Sequence, residues 1–353
     1  MHDSNRPPAP RGRAASDNPP NRFESVHRID DVTGQRQVAT ELIADASRSI
    51  VARNDSDDIP FETSLNPYRG CEHGCAYCYA RPTHEYLGFS AGLDFETRLV
   101  VKHEAPRLLR RELSRPRWQP QVLAMSGVTD PYQPIERELE ITRGCLAVLA
   151  EFRNPVAVIT KNELVTRDLD LLGELAAHRA AGVMLSITTL DPALARSMEP
   201  RTSQPARRLR ALEQLAAAGI PCGVMIAPVI PGLNDHEIPA ILQAAADRGA
   251  RAAGYIMLRL PGAVAPIFDD WLQRHLPDRR SKILERVRDL RGGRLNDSRT
   301  GTRMRGEGPY ARQVEALFRG GLRRAGLSPE RLDLSTAAFR RRGQLGLFEP
   351  QAT

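Results

Sequence analysis

The residues best suited to chemistry lie in one run, Asn66-Pro67-Tyr68-Arg69-Gly70-Cys71-Glu72-His73-Gly74-Cys75-Ala76-Tyr77-Cys78-Tyr79. Three of the chain's five cysteines, Cys71, Cys75 and Cys78, fall within eight residues in the spacing C-x3-C-x2-C. Thiolate sulfur is a soft ligand that suits iron–sulfur clusters or zinc. Gly70 and Gly74 let the loop curl, so that three sulfurs can cap three corners of one cube. A [4Fe–4S] cluster normally takes four cysteines, and three leave one iron open to a small molecule. Zinc is the alternative, with His73 completing a Cys3His set. His73 sits between two of the cysteines, where closing a tetrahedron is cramped, and no second ligand pair follows farther along the chain. The ligand arithmetic favours the cluster.

Such a loop needs a scaffold, and 353 residues with 41% hydrophobic content suffice for one large domain with additions, or for two. No apolar run approaches the length of a membrane span. The first residues carry no apolar signal region, which predicts a cytoplasmic protein without a membrane partner. A reducing compartment keeps thiols free for a cluster and disfavours disulfides. The net charge of +7 is unevenly placed. From Trp271 onward there are 19 Arg and Lys against 9 Asp and Glu, and the preceding residues hold 31 against 34. A basic carboxy-terminal third suits a polyanion such as nucleic acid. It equally suits a solvated surface in an arginine-biased sequence, because 47 of the 50 basic residues are Arg.

Residues 1–55 are rich in Pro, Arg, Asn and Asp with weak periodicity, and are expected to be largely disordered apart from a short element near 41–51. From residue 56 to 262, short apolar runs alternate with amphipathic stretches, the pattern of β/α units on a parallel sheet. Strands are expected at 61–66, 122–126, 156–161, 183–188, 222–227 and 255–260, with an added strand at 95–101. Helices fit 105–114, 137–152, 168–180, 204–218 and 235–248, with Gly219 where a helix C-cap belongs. Six such units predict an α/β fold, an open, partial (β/α)6 barrel of the TIM type, with chemistry at the carboxyl ends of the strands. Residues 263–335 read as a helical basic extension, and 336–353 as a flexible tail.

The pattern C-x3-C-x-aromatic-C, with Tyr77 as the aromatic, resembles the cluster loop of the radical S-adenosylmethionine (SAM) superfamily. The resemblance implies a [4Fe–4S] cluster on Cys71, Cys75 and Cys78. It also implies SAM chelated at the open iron through its amino and carboxylate groups, with Tyr77 against the adenine. The strand ends then acquire expected partners. Ser126, Gly127, Thr129 and Asp130 end the second strand, where small and polar groups suit the SAM ammonium; an ordinary Asp-Pro turn is the bland alternative. Lys161, one of only three lysines, suits the SAM carboxylate as a compact ammonium, or is simply an exposed loop residue. Ser186 and Thr188 would share one strand face near the ribose and methionine portions. Glu199 and Arg201 suit a pair that orients cofactor or loop, or else a surface ion pair of little energetic consequence. The proline-fixed turn that begins at Ala227 suits backbone contact with adenine. Cys145 lies in a helical apolar pattern with Ile141 and Leu149, and Cys222 opens the fifth strand away from the site; both are expected in the core.

Thr-Asp-Pro-Tyr-Gln-Pro at 129–134, Ile-Thr-Lys-Asn at 159–162 and Ser-Ile-Thr-Thr at 186–189, followed by Glu199-Pro200-Arg201, are similar to the spore photoproduct lyase-like, DNA repair photolyase-like branch over about residues 56–260. The resemblance implies lyase-type DNA repair chemistry. An electron from a flavodoxin- or ferredoxin-like donor would cleave SAM to methionine and a 5′-deoxyadenosyl radical, which takes a hydrogen atom from a nucleic-acid lesion or base. The lyase returns hydrogen from a cysteine shortly downstream of its cluster loop. No cysteine stands between Cys78 and Cys145, which speaks against cleavage of the spore thymine dimer and leaves Tyr132 as the nearest candidate for a radical relay. Two other readings stay open: radical chemistry on a small molecule or protein, and a non-catalytic iron–sulfur protein docked on DNA or on the sliding clamp.

The basic, glycine-rich stretch 299–310 suits phosphates. Near the end, Gln344-Leu345-Gly346-Leu347-Phe348 resembles the Gln-Leu-x-Leu-Phe peptide with which bacterial repair and replication proteins dock onto the polymerase sliding clamp. Gln344, Leu345, Leu347 and Phe348 would be the anchors in the groove; a tail folded back on the body is the alternative. A peptide of residues 340–353 is expected to bind purified clamp, and Leu347→Ala with Phe348→Ala to abolish binding. Absence of binding at tens of micromolar removes the clamp as a partner.

Overall fold

The computed structural model describes residues 9–24, 38–59, 61–329 and 332–341. Its strands are β1 (Glu41–Ala44), β2 (Val51–Arg53), β3 (Thr63–Leu65), β4 (Tyr68–Arg69), β5 (Arg98–Val101), β6 (Leu123–Met125), β7 (Val156–Thr160), β8 (Ala181–Ser186), β9 (Cys222–Val229) and β10 (Ala252–Met257). Seven of them form one sheet in the order β10-β9-β8-β7-β6-β3-β2. From β3 through β10 the neighbours are parallel and follow chain order, and β2 is an antiparallel edge. Parallel neighbours need crossover connections, which helices supply. The first and last strands do not pair, so the six β/α units form the expected open, partial barrel. A small sheet, β1-β5-β4, stands beside it.

Local sequence explains most elements. The central strands are buried on both faces, and Val183, Leu185, Val224 and Ile226 have no exposed surface. Helix Ile141–Phe152 turns Cys145, Leu146, Leu149 and Phe152 inward, which gives Cys145 the core position expected of it. Helix Pro205–Ala217 opens with Pro in its first turn and is followed by Gly219 at φ +73°. The stretch 95–101 departs from expectation. It divides into helix Leu93–Thr97 and β5, because the helical turn aims the Phe95 carbonyl at Cys71 N (2.8 Å) and the Glu96 carboxylate at Arg81.

Three regions expected to be loose or separate are tied to the barrel. Residues 9–24 pack across the cluster loop, which corrects the expectation of disorder there: Ala14 N and Ala15 N donate to the Glu96 carboxylate at 3.2 and 3.0 Å, and Arg13 Nη1 donates to Glu96 O at 2.6 Å. The segment has no periodic pattern because polar donors of its backbone and of Arg13, Ser16, Asn18 and Asn21, rather than a repeating apolar face, make the attachment. Helices Val264–His275 and Pro277–Asp289 place Phe268, Trp271, Ile283 and Leu284 in one cluster with Cys75, Ala76 and Tyr77. Helix Gly308–Ala325 packs on Ile238–Ala246, where a Cβ on Gly321 would lie 2.6 Å from Leu242, and Phe318 meets Tyr255 with ring centroids 4.6 Å apart. The extension is helical, and it packs directly on the barrel. The start of the expected tail is also held: Arg340 N donates to Phe152 O at 2.9 Å, and Arg341 donates to Pro116 O and Trp118 O at 3.1 Å. Gln344, Leu345, Leu347 and Phe348 lie outside the described residues.

The gap between the two edges of the open sheet is spanned by side chains. Asp58, in the connection between β2 and β3, accepts from Gly301 N and Arg303 Nε, both at 2.6 Å, and residues 301–304 run beside β10 through Met257 N→Met304 O at 2.9 Å. Among the described residues, no helix is long and apolar enough to cross a membrane.

The cluster loop itself hangs on Arg81 and Glu96, an ion pair with no exposed surface on either side chain. Arg81 also donates twice to Cys75 O (3.1 and 2.9 Å) and to the carbonyls of Ala91 and Gly92 (3.0 Å each). Removing one partner of such a pair leaves an uncompensated buried charge. Arg81→Met is expected to lower the unfolding free energy by about 3–5 kcal/mol in urea titration. A loss below about 1 kcal/mol, the range of an exposed pair, would show that water reaches Glu96.

Candidate active site

At the carboxyl ends of the parallel strands lies a cavity of about 190 Å³, walled on one side by Cys71, Cys75 and Cys78. The opposite walls bring in Ser126, Gly127, Thr129 and Asp130 after β6, Lys161 after β7, Ser186 of β8 and Ala227 of β9. Strand ends separated by a hundred residues thus open onto the cysteine loop, as the barrel reading required.

The loop is held from several sides. Ala76 N donates to Met198 O (3.0 Å), Glu72 N to Gln133 Oε1 (2.9 Å) and Cys78 N to Cys75 O (3.2 Å). Gly74, at φ +60°, sits so close to Glu96 that a Cβ would come 2.5 Å from its carboxylate oxygen. All three thiols are free; Cys71 and Cys75 are buried and Cys78 is partly so. Burial pushes each of them above the ordinary thiol range. Three soft sulfur donors on one loop, all facing one cavity, fit a cluster. His73 does not complete a zinc tetrahedron with them. Its Nδ1 is 3.3 Å from Asp130 Oδ2 and its Nε2 is 3.3 Å from Asn162 Nδ2, so both ring nitrogens face other partners.

Beneath the cavity a buried network fixes the wall. Glu199 accepts from the Tyr77 hydroxyl, from Thr188 Oγ1 (2.6 Å) and from Arg208, with Lys161 Nζ at 3.4 Å. Burial alone would raise this carboxyl. Arg208, Lys161 and the two hydroxyls outweigh it and hold Glu199 well below the usual carboxylate range. Lys161 Nζ also donates to Ala227 O at 3.1 Å and stands 5.6 Å from the centre of the Tyr77 ring. Asp130 is a second joint. It accepts from Thr160 Oγ1 (2.6 Å), Lys161 N (2.8 Å) and Tyr132 N (2.9 Å), and against the opposing effect of burial, His73 and these bonds keep it below the ordinary value. Thr129 Oγ1 donates to Gly70 O at 2.7 Å and thereby ties the β6 end to the loop.

Several expectations change. Glu199 and Arg201 do not pair: Glu199 turns to Arg208 and Lys161, and Arg201 reaches Glu72 Oε1 at 3.0 Å on the back of the cluster loop. Neither lines the cavity. Thr188 does not share the cavity face with Ser186 because β8 ends at Ser186, and the chain beyond it turns toward Asn234, which donates to Thr188 O at 2.7 Å. Tyr132 is fully buried with its hydroxyl donating to Asp168 at 3.0 Å, since the turn at Pro131 directs the ring into the core. It is no cavity-side relay. Cys145 and Cys222 are core residues, as expected.

Among the wall residues that escaped the sequence reading, two can bind a polar or aromatic group. Tyr79, directly after the third cysteine, is half exposed, and Arg259 has its guanidinium carbon 5.8 Å from the centre of that ring. The available signal was Arg259 as the lone charged residue of the apolar run 252–260.

Comparison with known proteins agrees with this geometry. The family profile described as the radical SAM superfamily matches residues 65–245, more than half of the chain. Uncharacterized proteins of Mycobacterium tuberculosis and Mycobacterium bovis are each 40% identical over 234 residues, 66% of this chain and 68% of theirs. An uncharacterized protein of Methanocaldococcus jannaschii is 31% identical over 173 residues, 49% of this chain and 62% of its own. Among solved structures, spore photoproduct lyase complexed with dinucleoside spore photoproduct superposes with a TM-score of 0.56 at 18% identity, over 80% of this chain and 79% of that one. A mutant of that lyase with bound AdoMet and the same dinucleoside gives 0.55 at 16% identity, over 80% and 78%. At these identities the likeness is one of fold. The cysteine loop at the head of a partial barrel and a family match along more than half its length make this chain a member of the radical SAM superfamily.

Proposed function

We propose that Cys71, Cys75 and Cys78 carry a [4Fe–4S] cluster with one iron left for SAM, and that the enzyme acts on a lesion or modified base in nucleic acid. The observation that carries this reading is the single cavity onto which three free thiols and the ends of the parallel strands open. When bound, cluster and SAM supply reductive cleavage of SAM and hydrogen-atom abstraction from the substrate. The chain's own part is placement. Lys161, its charge balanced by Glu199, offers an ammonium toward the SAM carboxylate; Ser186, Ala227 and Tyr77 offer the ribose and adenine contacts. Met225, Ile256 and Met257 give the cavity an apolar wall that excludes water.

Nucleic acid is supported by the basic carboxy-terminal third and by the shared fold of a lyase whose solved complex holds a dinucleoside photoproduct. Cys145 and Cys222 lie in the core, and the three loop cysteines are the only thiols among the described residues that line the cavity. Return of hydrogen from a further cysteine therefore has no residue to carry it, and the substrate we propose differs from the spore thymine dimer. A flavodoxin- or ferredoxin-like reductant and clamp docking through 344–348 complete the reading, in a reducing cytoplasm.

Protein reconstituted with iron and sulfide without oxygen is expected to form 5′-deoxyadenosine from SAM on addition of dithionite, detected by mass spectrometry, and Cys75→Ala to form none. A complete cluster without product, even with damaged DNA present, would favour the non-catalytic reading. Lys161→Met is expected to weaken SAM binding about tenfold, equivalent to about 1.4 kcal/mol, by calorimetric titration. An unchanged Kd would leave Lys161 as a partner of Glu199 alone.

A further inference from the structure

The ionisable side chains other than thiols and phenols that line the cavity are His73, Asp130, Lys161 and Arg259. The first three are balanced within the chain: Asp130 by His73 and its hydrogen-bond donors, Lys161 by Glu199. Arg259 is different. Among the described residues, its Nε is buried without a hydrogen-bond partner, and its Nη1 meets the thioether of Met304, at 3.6 Å, a weak acceptor. Asp58, whose charge reaches it, is already held by Arg303 and Gly301 N. Arg259 is partly buried, and a guanidinium that loses hydration without gaining an anion is left uncompensated while it keeps its proton.

The basic stretch 299–310 does not fill this role itself. Arg299 pairs with Asp297 (2.9 Å) and Glu307 (3.2 Å), Arg303 with Asp58 (2.6 Å), and Arg305 lies over the Tyr255 ring at 3.9 Å. What the stretch does is build the rim on which Arg259 stands. Arg291, itself buried, donates to the carbonyls of Leu258 (2.8 Å), Thr302 (3.1 Å) and Arg303 (2.7 Å), and so locks the loop to the end of β10. Tyr79 completes the rim with a half-exposed aromatic ring beside the guanidinium.

We infer that Arg259 is the phosphate anchor of the substrate site, taking one phosphodiester of a nucleic-acid strand while Tyr79 offers its ring to the adjoining base. This rests on the nucleic-acid reading above and adds to it the residue that engages the strand. A guanidinium fork matches two phosphate oxygens, and an exposed ring stacks on any base. The reacting base must enter a recess, so the strand is single or has the nucleotide turned out of its stack.

The test uses the full-length, cluster-loaded protein and a short fluorescein-labelled oligothymidylate, with binding measured by anisotropy across a salt series. Each phosphate engaged on a single strand contributes about 0.7 to the slope of log K against log salt. Arg259→Gln is expected to bind about tenfold more weakly with the slope reduced by about 0.7. Arg259→Lys should retain the slope, and Arg299→Gln, whose side chain is exposed and already paired, should match wild type. Because Arg259 has no ion-pair partner among the described residues, Arg259→Gln should melt at or above the wild-type temperature, which separates an anchoring role from a structural one. If wild type binds no oligonucleotide, the nucleic-acid reading fails and the anchor with it. Wild-type binding with an unchanged slope in Arg259→Gln overturns the anchor alone. A loss of SAM affinity with an unchanged slope also overturns it, by assigning Arg259 to the cofactor.

Discussion

A carboxylate sealed from water must be answered on every lone pair, and Glu96 is answered by almost everything that shapes the cluster loop. Arg81 neutralises it, the backbone of Ala14 and Ala15 donates to it, and Gly74 passes so close that only hydrogen fits on its Cα. The same Arg81 grips the Cys75 carbonyl from the other side. One buried charge thus fixes the curvature of the loop, the position of its middle cysteine and the path of the amino-terminal segment. The thiols need no bonds of their own to be placed.

A similar economy governs the cavity wall. Glu199, buried, and Asp130, partly so, are both ionised and held by groups from different strand ends, so each works as a joint between β/α units. Charged groups in the interior are tolerated because they are paired and hydrogen-bonded. The wall around Asp130 and Lys161 therefore presents closed pairs, and the rim presents at Arg259 a cation without an ion-pair partner among the described residues.

Local signals carried most of this to the sequence level. Thiol spacing and glycine positions marked the loop, and apolar runs separated by amphipathic stretches marked six parallel strands within a few residues of their bounds. Proximity along the chain misled where space decides. Glu199 and Arg201 are two residues apart, yet each found its partner on another element, Arg208 on a helix and Glu72 in the loop. Residues 9–24 carry no apolar rhythm, and their order comes from a carboxylate some eighty residues away, which no window on the sequence can see. Tyr132 looked like a site residue from its strand-end position, but a single turn at Pro131 sent its ring to the core.

The open sheet leaves one further mark on the molecule. Between β2 and β10 no backbone ladder runs, and the two edges meet instead through Asp58, Gly301 and Arg303. Parting them there would break no strand pairing and would expose charged groups, which water solvates well, rather than hydrocarbon. The weakest seam of this barrel is consequently a polar one, on the loop whose Met304 meets Arg259, while the hydrophobic packing between sheet and helices holds the remainder together.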